Sequence, residues 1–116
     1  MQHSISSLKD LINSGQFPTA FPHFGGATLI ITNDPKRNFH EGDLVVCSEH
    51  ASALSWLVVE LKKIYDIKLN SSNKYNFYPY IGELMQESLN VNDDLFETML
   101  FVMDKIEEDW GSESSI

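Results

Sequence analysis

The chain has 116 residues, of which 42% are hydrophobic, and its 17 acidic and 8 basic residues give a formal net charge of −9. This length predicts one domain, and the hydrophobic fraction is too high for a disordered chain. The longest apolar run, residues 99–103, is too short to span a bilayer, and the first residues lack the pattern of a signal peptide. A single cysteine excludes an internal disulfide, so we expect a cytoplasmic protein.

The first predicted element is a helix over residues 4–14. Ser4 and Ser7 are both suitable N-caps, and Gly15 with Pro18 beyond it is typical of a helix end. The apolar residues of this segment recur at three- and four-residue spacing, which places them on one face: Ile5, Leu8, Leu11 and Ile12.

Residues 17–26 contain two prolines and two glycines and are predicted to form a loop. The three phenylalanines of this loop are expected to cover the core, with a partner-facing aromatic patch at Phe21 as the alternative. Residues 27–32 and 43–47 are apolar and rich in β-branched side chains, which predicts two strands. The connection between them, residues 33–42, is long for a tight hairpin.

A second helix is predicted over residues 49–65, because apolar side chains form a broad face along it, and Ser48 is a suitable cap. Ile67 and Leu69 alternate with a lysine and could form a short third strand. The aromatic segment at residues 75–80 could then be an edge strand or an extended lead-in to a third helix over residues 80–89. Pro79 in this segment suits a first helical turn, and Tyr78 is a second candidate for partner contact.

The strongest helical pattern covers residues 92–110, with Asn92 as the expected N-cap and Val91 placed to pack on Phe96 as a hydrophobic staple. A short connection predicts antiparallel packing on the third helix. The face expected to be buried includes Phe96, Met99, Met103 and Ile106. The opposite face carries five carboxylates, which we take as the candidate partner-binding residues: Glu97, Asp104, Glu107, Glu108 and Asp109.

Together these elements predict an α+β fold, a helix-rich single domain with about four helices packed on a small two- or three-stranded sheet. Residues 1–111 form the globular domain in this interpretation, and residues 112–116 form a frayed C-terminal tail. An open edge of such a sheet could support a homodimer.

Cys47 and His50 lie where a strand is predicted to meet a helix, a place where catalytic thiols occur, and an enzyme using this pair is one alternative. Positions so close in sequence seldom bring a thiol and an imidazole into hydrogen-bond geometry. We therefore expect a buried, structural Cys47 and no catalytic residues. Paired metal-ligand spacings are missing, so we expect neither a metal site nor a cofactor.

The charge is unevenly distributed along the chain. Residues 1–82 carry seven basic and seven acidic residues, whereas residues 83–116 carry ten acidic residues against Lys105 alone. No basic stripe is available for nucleic acid, and the acidic helix fits a basic protein partner better. The competing interpretation is that these carboxylates only keep the protein soluble.

We therefore expect a small acidic intracellular binding protein, an inhibitor or immunity-type protein that neutralises a basic partner such as a nuclease toxin or effector. The composition is that of bacterial immunity proteins, and no motif supports the comparison. The alternatives are an acidic chaperone for a secreted effector and an enzyme that uses Cys47 and His50.

Overall fold

The computed structural model describes residues 4–20, 24–26, 28–34, 41–68 and 74–110. These residues form four helices and a three-stranded sheet, which confirms the predicted helix-rich α+β class. The order along the chain is α1 (Ile5–Ser14), β1 (Phe24–Gly26), β2 (Leu29–Thr32), β3 (Leu44–Cys47), α2 (Ala51–Lys68), α3 (Lys74–Val91) and α4 (Leu95–Trp110). None of the helices described has the length and apolar character needed to cross a membrane. The predicted frayed tail lies outside the described residues.

The sheet is mixed and has the order β1–β2–β3, so β1 and β3 are its edge strands within the described part of the chain. β1 runs antiparallel to β2, with Phe24 opposite Ile31, although its residues were predicted to be loop. Pairing with β2 stabilises this short, glycine-containing strand, and no local pattern reveals that partner. β2 and β3 are parallel, which explains the long connection between them, because parallel strands require a crossover.

Two helices extend beyond their predicted limits. α2 continues through Ile67 to Lys68, so the third strand predicted there is wrong, and Leu69 lies outside the described residues. α3 begins at Lys74, so Pro79 lies inside the helix and not in its first turn. A proline is unfavourable inside a helix, and the burial of Phe77 and Ile81 on either side of it stabilises the helical conformation instead.

Local capping chemistry sets where α1 starts and ends. The backbone N–H of Ser7 donates to Ser4 Oγ (3.1 Å), and that of Ser4 donates to Ser7 Oγ (2.9 Å), a reciprocal capping box. Gly15 has φ 74°, the left-handed conformation expected after a helix, and its N–H donates to Ile12 O.

The N-cap of α4 is Asp94 and not Asn92. Asp94 Oδ1 accepts from the backbone N–H of Glu97 (2.9 Å), and its carbonyl accepts from that of Thr98 (3.0 Å). Asn92 is still bonded to the preceding helix, because its N–H donates to Ser88 O (3.0 Å). α3 therefore extends further, and α4 starts later, than predicted.

α2 is the central helix and packs against β1, β2, α3 and α4. Four of its apolar side chains are completely buried: Leu54, Leu57, Val58 and Leu61. α3 approaches the sheet closely at Gly82, where a Cβ would lie 2.6 Å from Leu44 Cδ2 and 2.7 Å from Leu29 Cδ1. The two helices α3 and α4 are antiparallel neighbours, since Tyr80 contacts the end of α4 whereas Ser88 contacts Thr98 near its start.

Candidate functional site

One side of α4 is fixed in the core while the other carries carboxylates. The buried apolar side chains of α4 have 0% exposure: Met99, Val102, Met103 and Ile106. Three of them were predicted to be buried, and this is confirmed. The predicted partner-binding carboxylates are all exposed: Glu97, Asp104, Glu107, Glu108 and Asp109. They are therefore presented to solvent by a helix whose position is set by core packing.

Two of these carboxylates share a cation from α1. Lys9 Nζ lies 3.1 Å from Asp104 Oδ1 and 3.0 Å from Glu107 Oε1. The hydrogen bond to Glu107 is the main cause that raises the pKa of Lys9, and Asp104 adds to it while burial opposes it. The charge at this end of α4 is thus partly neutralised within the protein.

A third carboxylate accepts a hydrogen bond from a side chain of α3. The hydroxyl of Tyr80 donates to Asp109 Oδ2 and also contacts Lys105 O (3.2 Å). Burial is the largest cause that raises the pKa of Tyr80, followed by the hydrogen bond to Asp109. Asp109 therefore has a structural contact between helices as well as an exposed position.

The remaining two carboxylates are less constrained. Glu97 Oε2 lies 3.5 Å from Asn92 Nδ2, which is the limit of a hydrogen bond. Glu108 has no hydrogen bond or ion pair to another side chain among the described residues. The sequence alone does not distinguish between the five carboxylates. In the structure, the contacts of the other three within the protein make Glu97 and Glu108 the most available to a partner.

A groove of about 580 Å³ lies between the C-terminal part of α3 and residues 96–104 of α4. We call it the α3–α4 groove. Its apolar lining is Val91, Phe96, Leu100 and Phe101, and its carboxylates are Glu87, Glu97 and Asp104, with Ser88 and Asn92 completing it. Val91 is 87% exposed and Phe96 is 43% exposed, so the centre of this groove is apolar surface open to solvent.

The exposure of Val91 and Phe96 contradicts two predictions, burial of Phe96 and a staple between these residues. With Asp94 as N-cap, α4 begins at Leu95 and the staple positions no longer fall on this pair. Phe96 lies at the margin of the buried stripe centred on Met99. A usable signal was present in the sequence, because α4 has more apolar residues than one core-facing stripe needs.

Cys47 and His50 lie on either side of the junction between β3 and α2. Cys47 is exposed, contrary to prediction, because side chains alternate along a strand and the neighbouring Val46 points into the core. His50 Nε2 lies 3.5 Å from Glu49 Oε1, and no hydrogen bond joins it to Cys47 in the described part of the chain. The same residues contain no cluster of three or more potential metal ligands.

Ser48 stabilises the turn that leads into α2 and is not its N-cap as predicted, because the helix begins at Ala51 and not at residue 49. Ser48 Oγ accepts from the backbone N–H of His50 (3.0 Å) and donates to Asp93 Oδ1 (3.1 Å). This second bond ties the beginning of α2 to the segment that precedes α4. Ser48 is buried, whereas Asp93 is exposed.

The aromatic candidates pack on the core where the structure describes them. Tyr78 is half-buried, with its ring 5.2 Å from that of Phe24 and 5.6 Å from that of Phe77. Phe17 stacks on Trp56 at a centroid distance of 6.1 Å. Phe21 lies outside the described residues. The expectation that the phenylalanines cover the core is confirmed for Phe17 and Phe24.

Comparison with known proteins provides no relative: no family model, no curated protein and no solved structure matches the chain. The fold therefore defines a small α+β protein, and its surface is the basis for a functional proposal.

Proposed function

We propose that this protein binds a basic protein partner through the acidic surface of α4, as an inhibitor or immunity-type protein does. The observation that carries the proposal is the exposure of Val91 and Phe96 next to Glu87 and Glu97. A surface that only confers solubility needs no large apolar side chains. An apolar centre within a charged rim is the composition of a protein-binding surface.

The distribution of charge supports a basic partner. Residues 83–116 carry the whole net charge of −9, so the field of the protein is strongest on the side formed by the end of the chain. Such a field raises the rate at which an oppositely charged protein associates. Glu97 and Glu108 contribute most directly, because Lys9 already occupies Asp104 and Glu107.

The test begins with a pull-down from the source cell at low and high salt, followed by surface plasmon resonance with the purified partner. We expect Glu97→Lys with Glu108→Lys to weaken binding more than about tenfold, or about 1.4 kcal/mol. The matched control is Glu41→Lys with Glu49→Lys, which changes the net charge equally at exposed positions outside α4. Equal binding by wild type and both variants, with no effect of salt, would contradict the proposal.

The chaperone alternative uses the same acidic surface, and the state of the partner separates it from the inhibitor. An inhibitor binds its partner in the folded state and blocks that partner's activity. A chaperone binds the partner before it folds. Binding to the unfolded partner only, with no inhibition of the folded form, would replace the inhibitor proposal with the chaperone.

A further inference from the structure

The walls of the α3–α4 groove restrict how a partner is recognised. Both walls are helices and present no strand edge, so an incoming strand cannot extend a sheet there. Recognition in this groove depends on side chains. The known mode of peptide recognition that uses side chains in this way is an amphipathic helix that packs its apolar face into a groove.

We propose that the α3–α4 groove receives one amphipathic helix of the basic partner. In this arrangement an apolar side chain of the partner packs between Val91, Phe96 and Leu100, and flanking lysines or arginines pair with Glu87 and Glu97. The inference rests on the proposed function and adds to it the binding site and the chemistry of the segment bound. Charge complementarity favours a basic amphipathic helix as the occupant, because the apolar residues of the groove lie among carboxylates.

The contacts of the carboxylates in the groove also indicate where the basic residues of the partner helix bind. At one end Asp104 is held by Lys9 Nζ at 3.1 Å, which partly neutralises that carboxylate. Glu87 and Glu97 face solvent, and neither pairs with a lysine among the described residues. The basic residues of the partner helix therefore belong beside Glu87 and Glu97, flanking its apolar residues, and not beside Asp104.

A second copy of the chain fits the groove less well than a basic helix, because of its charge. Self-association through this groove would bring Glu87 and Glu97 of two molecules together, and like charges in an interface are repulsive. Burying the apolar centre against an uncharged surface would also leave those carboxylates without partners, which costs free energy. A cationic amphipathic helix satisfies both parts of the surface at once.

The experiment uses the full chain and a fluorescein-labelled helical peptide of about 18 residues, built of leucine on one face and lysine on the others. Two control peptides have the same composition in scrambled order, or glutamate in place of lysine. Fluorescence anisotropy measures the dissociation constant of each. We expect the amphipathic basic peptide to bind at least about tenfold more tightly than either control peptide.

Three variants locate the site. Val91→Ser with Phe96→Ser removes the apolar centre and is expected to weaken binding about tenfold or more, with little dependence on salt. Glu87→Gln with Glu97→Gln is expected to weaken it about fivefold at low salt. The control, Glu41→Gln with Glu83→Gln, makes the same change in charge at exposed positions outside the groove and is expected to change the dissociation constant less than about twofold.

Folding of each variant is checked by circular dichroism and thermal unfolding. If the double serine variant is unfolded, the single Val91→Ser variant replaces it, because that side chain is 87% exposed and contributes little to packing. A photoreactive leucine in the peptide provides an independent readout. Crosslinks to α3 and α4 between residues 87 and 104 are expected, and crosslinks elsewhere would overturn the inference.

The possible failures are distinguishable. If both glutamine variants weaken binding equally and the serine variants do not, the acidic surface binds cations and the groove is not the site. If the scrambled peptide binds as tightly as the amphipathic one, no helix is recognised. If the glutamate peptide binds as well as the lysine peptide, the proposed function fails together with the inference. A wild-type dimer in sedimentation equilibrium that the serine variants dissociate would assign the groove to a second copy.

Discussion

At the scale of single residues, Gly82 allows α3 to approach the sheet. A glycine inside a helix is unfavourable by about 1 kcal/mol relative to alanine, so a packing requirement is needed to explain it. We expect Gly82→Val to destabilise the protein by about 1–3 kcal/mol, since the new side chain would overlap Leu44 and Leu29. The measurement is urea unfolding, with Glu83→Val at the neighbouring exposed position as the control.

Leu44→Ala tests whether steric overlap causes the destabilisation by Gly82→Val, because it removes the side chain closest to the new valine. The double variant Gly82→Val with Leu44→Ala should be more stable than the sum of the two single effects, a coupling of about 0.5 kcal/mol or more. Strict additivity would show that the close approach seen at Gly82 is not the cause of the destabilisation.

At the scale of elements, α1 is attached to α4 by an apolar face and by Lys9. We expect Leu8→Ala to cost about 2–5 kcal/mol, because Leu8 has 0% exposure and its loss leaves a cavity. We expect Lys9→Met to cost less than about 1 kcal/mol, because its partners Asp104 and Glu107 are exposed to solvent. Chemical denaturation of both variants checks this ranking, and a larger loss for Lys9→Met would show that the ion pairs dominate.

A second prediction at this scale concerns alkaline pH. Burial is the main cause that raises the pKa of Tyr65 at the end of α2 to about 12, against 10.0 for a free tyrosine. The folded state therefore favours the protonated phenol, and this contribution is complete below pH 10 and is lost as the pH rises towards 12. Between pH 8 and pH 11 we expect wild type to lose up to about 1.4 kcal/mol more stability than Tyr65→Phe. Denaturant unfolding of both proteins at the two pH values measures the difference, and parallel losses would contradict it.

At the scale of the whole molecule, the charge and the groove are expected to govern different rates. The Debye length falls from ~30 Å at 0.01 M salt to ~8 Å at 0.15 M, so association with a basic partner should slow steeply over this range. Lys9→Met removes the cation that neutralises Asp104 and Glu107 and should accelerate association at low salt. Stopped-flow binding of the partner measures both rates. An association rate independent of salt and of Lys9 would leave no role for the field of the protein.

Much of the fold could be predicted from local patterns. The spacing of apolar residues located α1, most of α2 and α4, and the β-branched runs located β2 and β3. Capping residues marked both ends of α1, because Ser4, Ser7 and Gly15 act within one turn of the helix. The excess of carboxylates after residue 82 and the exposure of the five predicted site residues also follow from sequence, since charged side chains on an amphipathic helix face water.

The remaining features depend on contacts between residues far apart in the chain. The pairing of β1 with β2, the parallel arrangement of β2 and β3, and the helical conformation around Pro79 all require a partner that local periodicity does not identify. Lys9 meets Asp104 and Glu107 only because α1 packs on α4. The exposure of Phe96 has the same origin, because apolar spacing marks which side chains share a helix face, and only the packed helices α2, α3 and α4 decide which part of that face is covered.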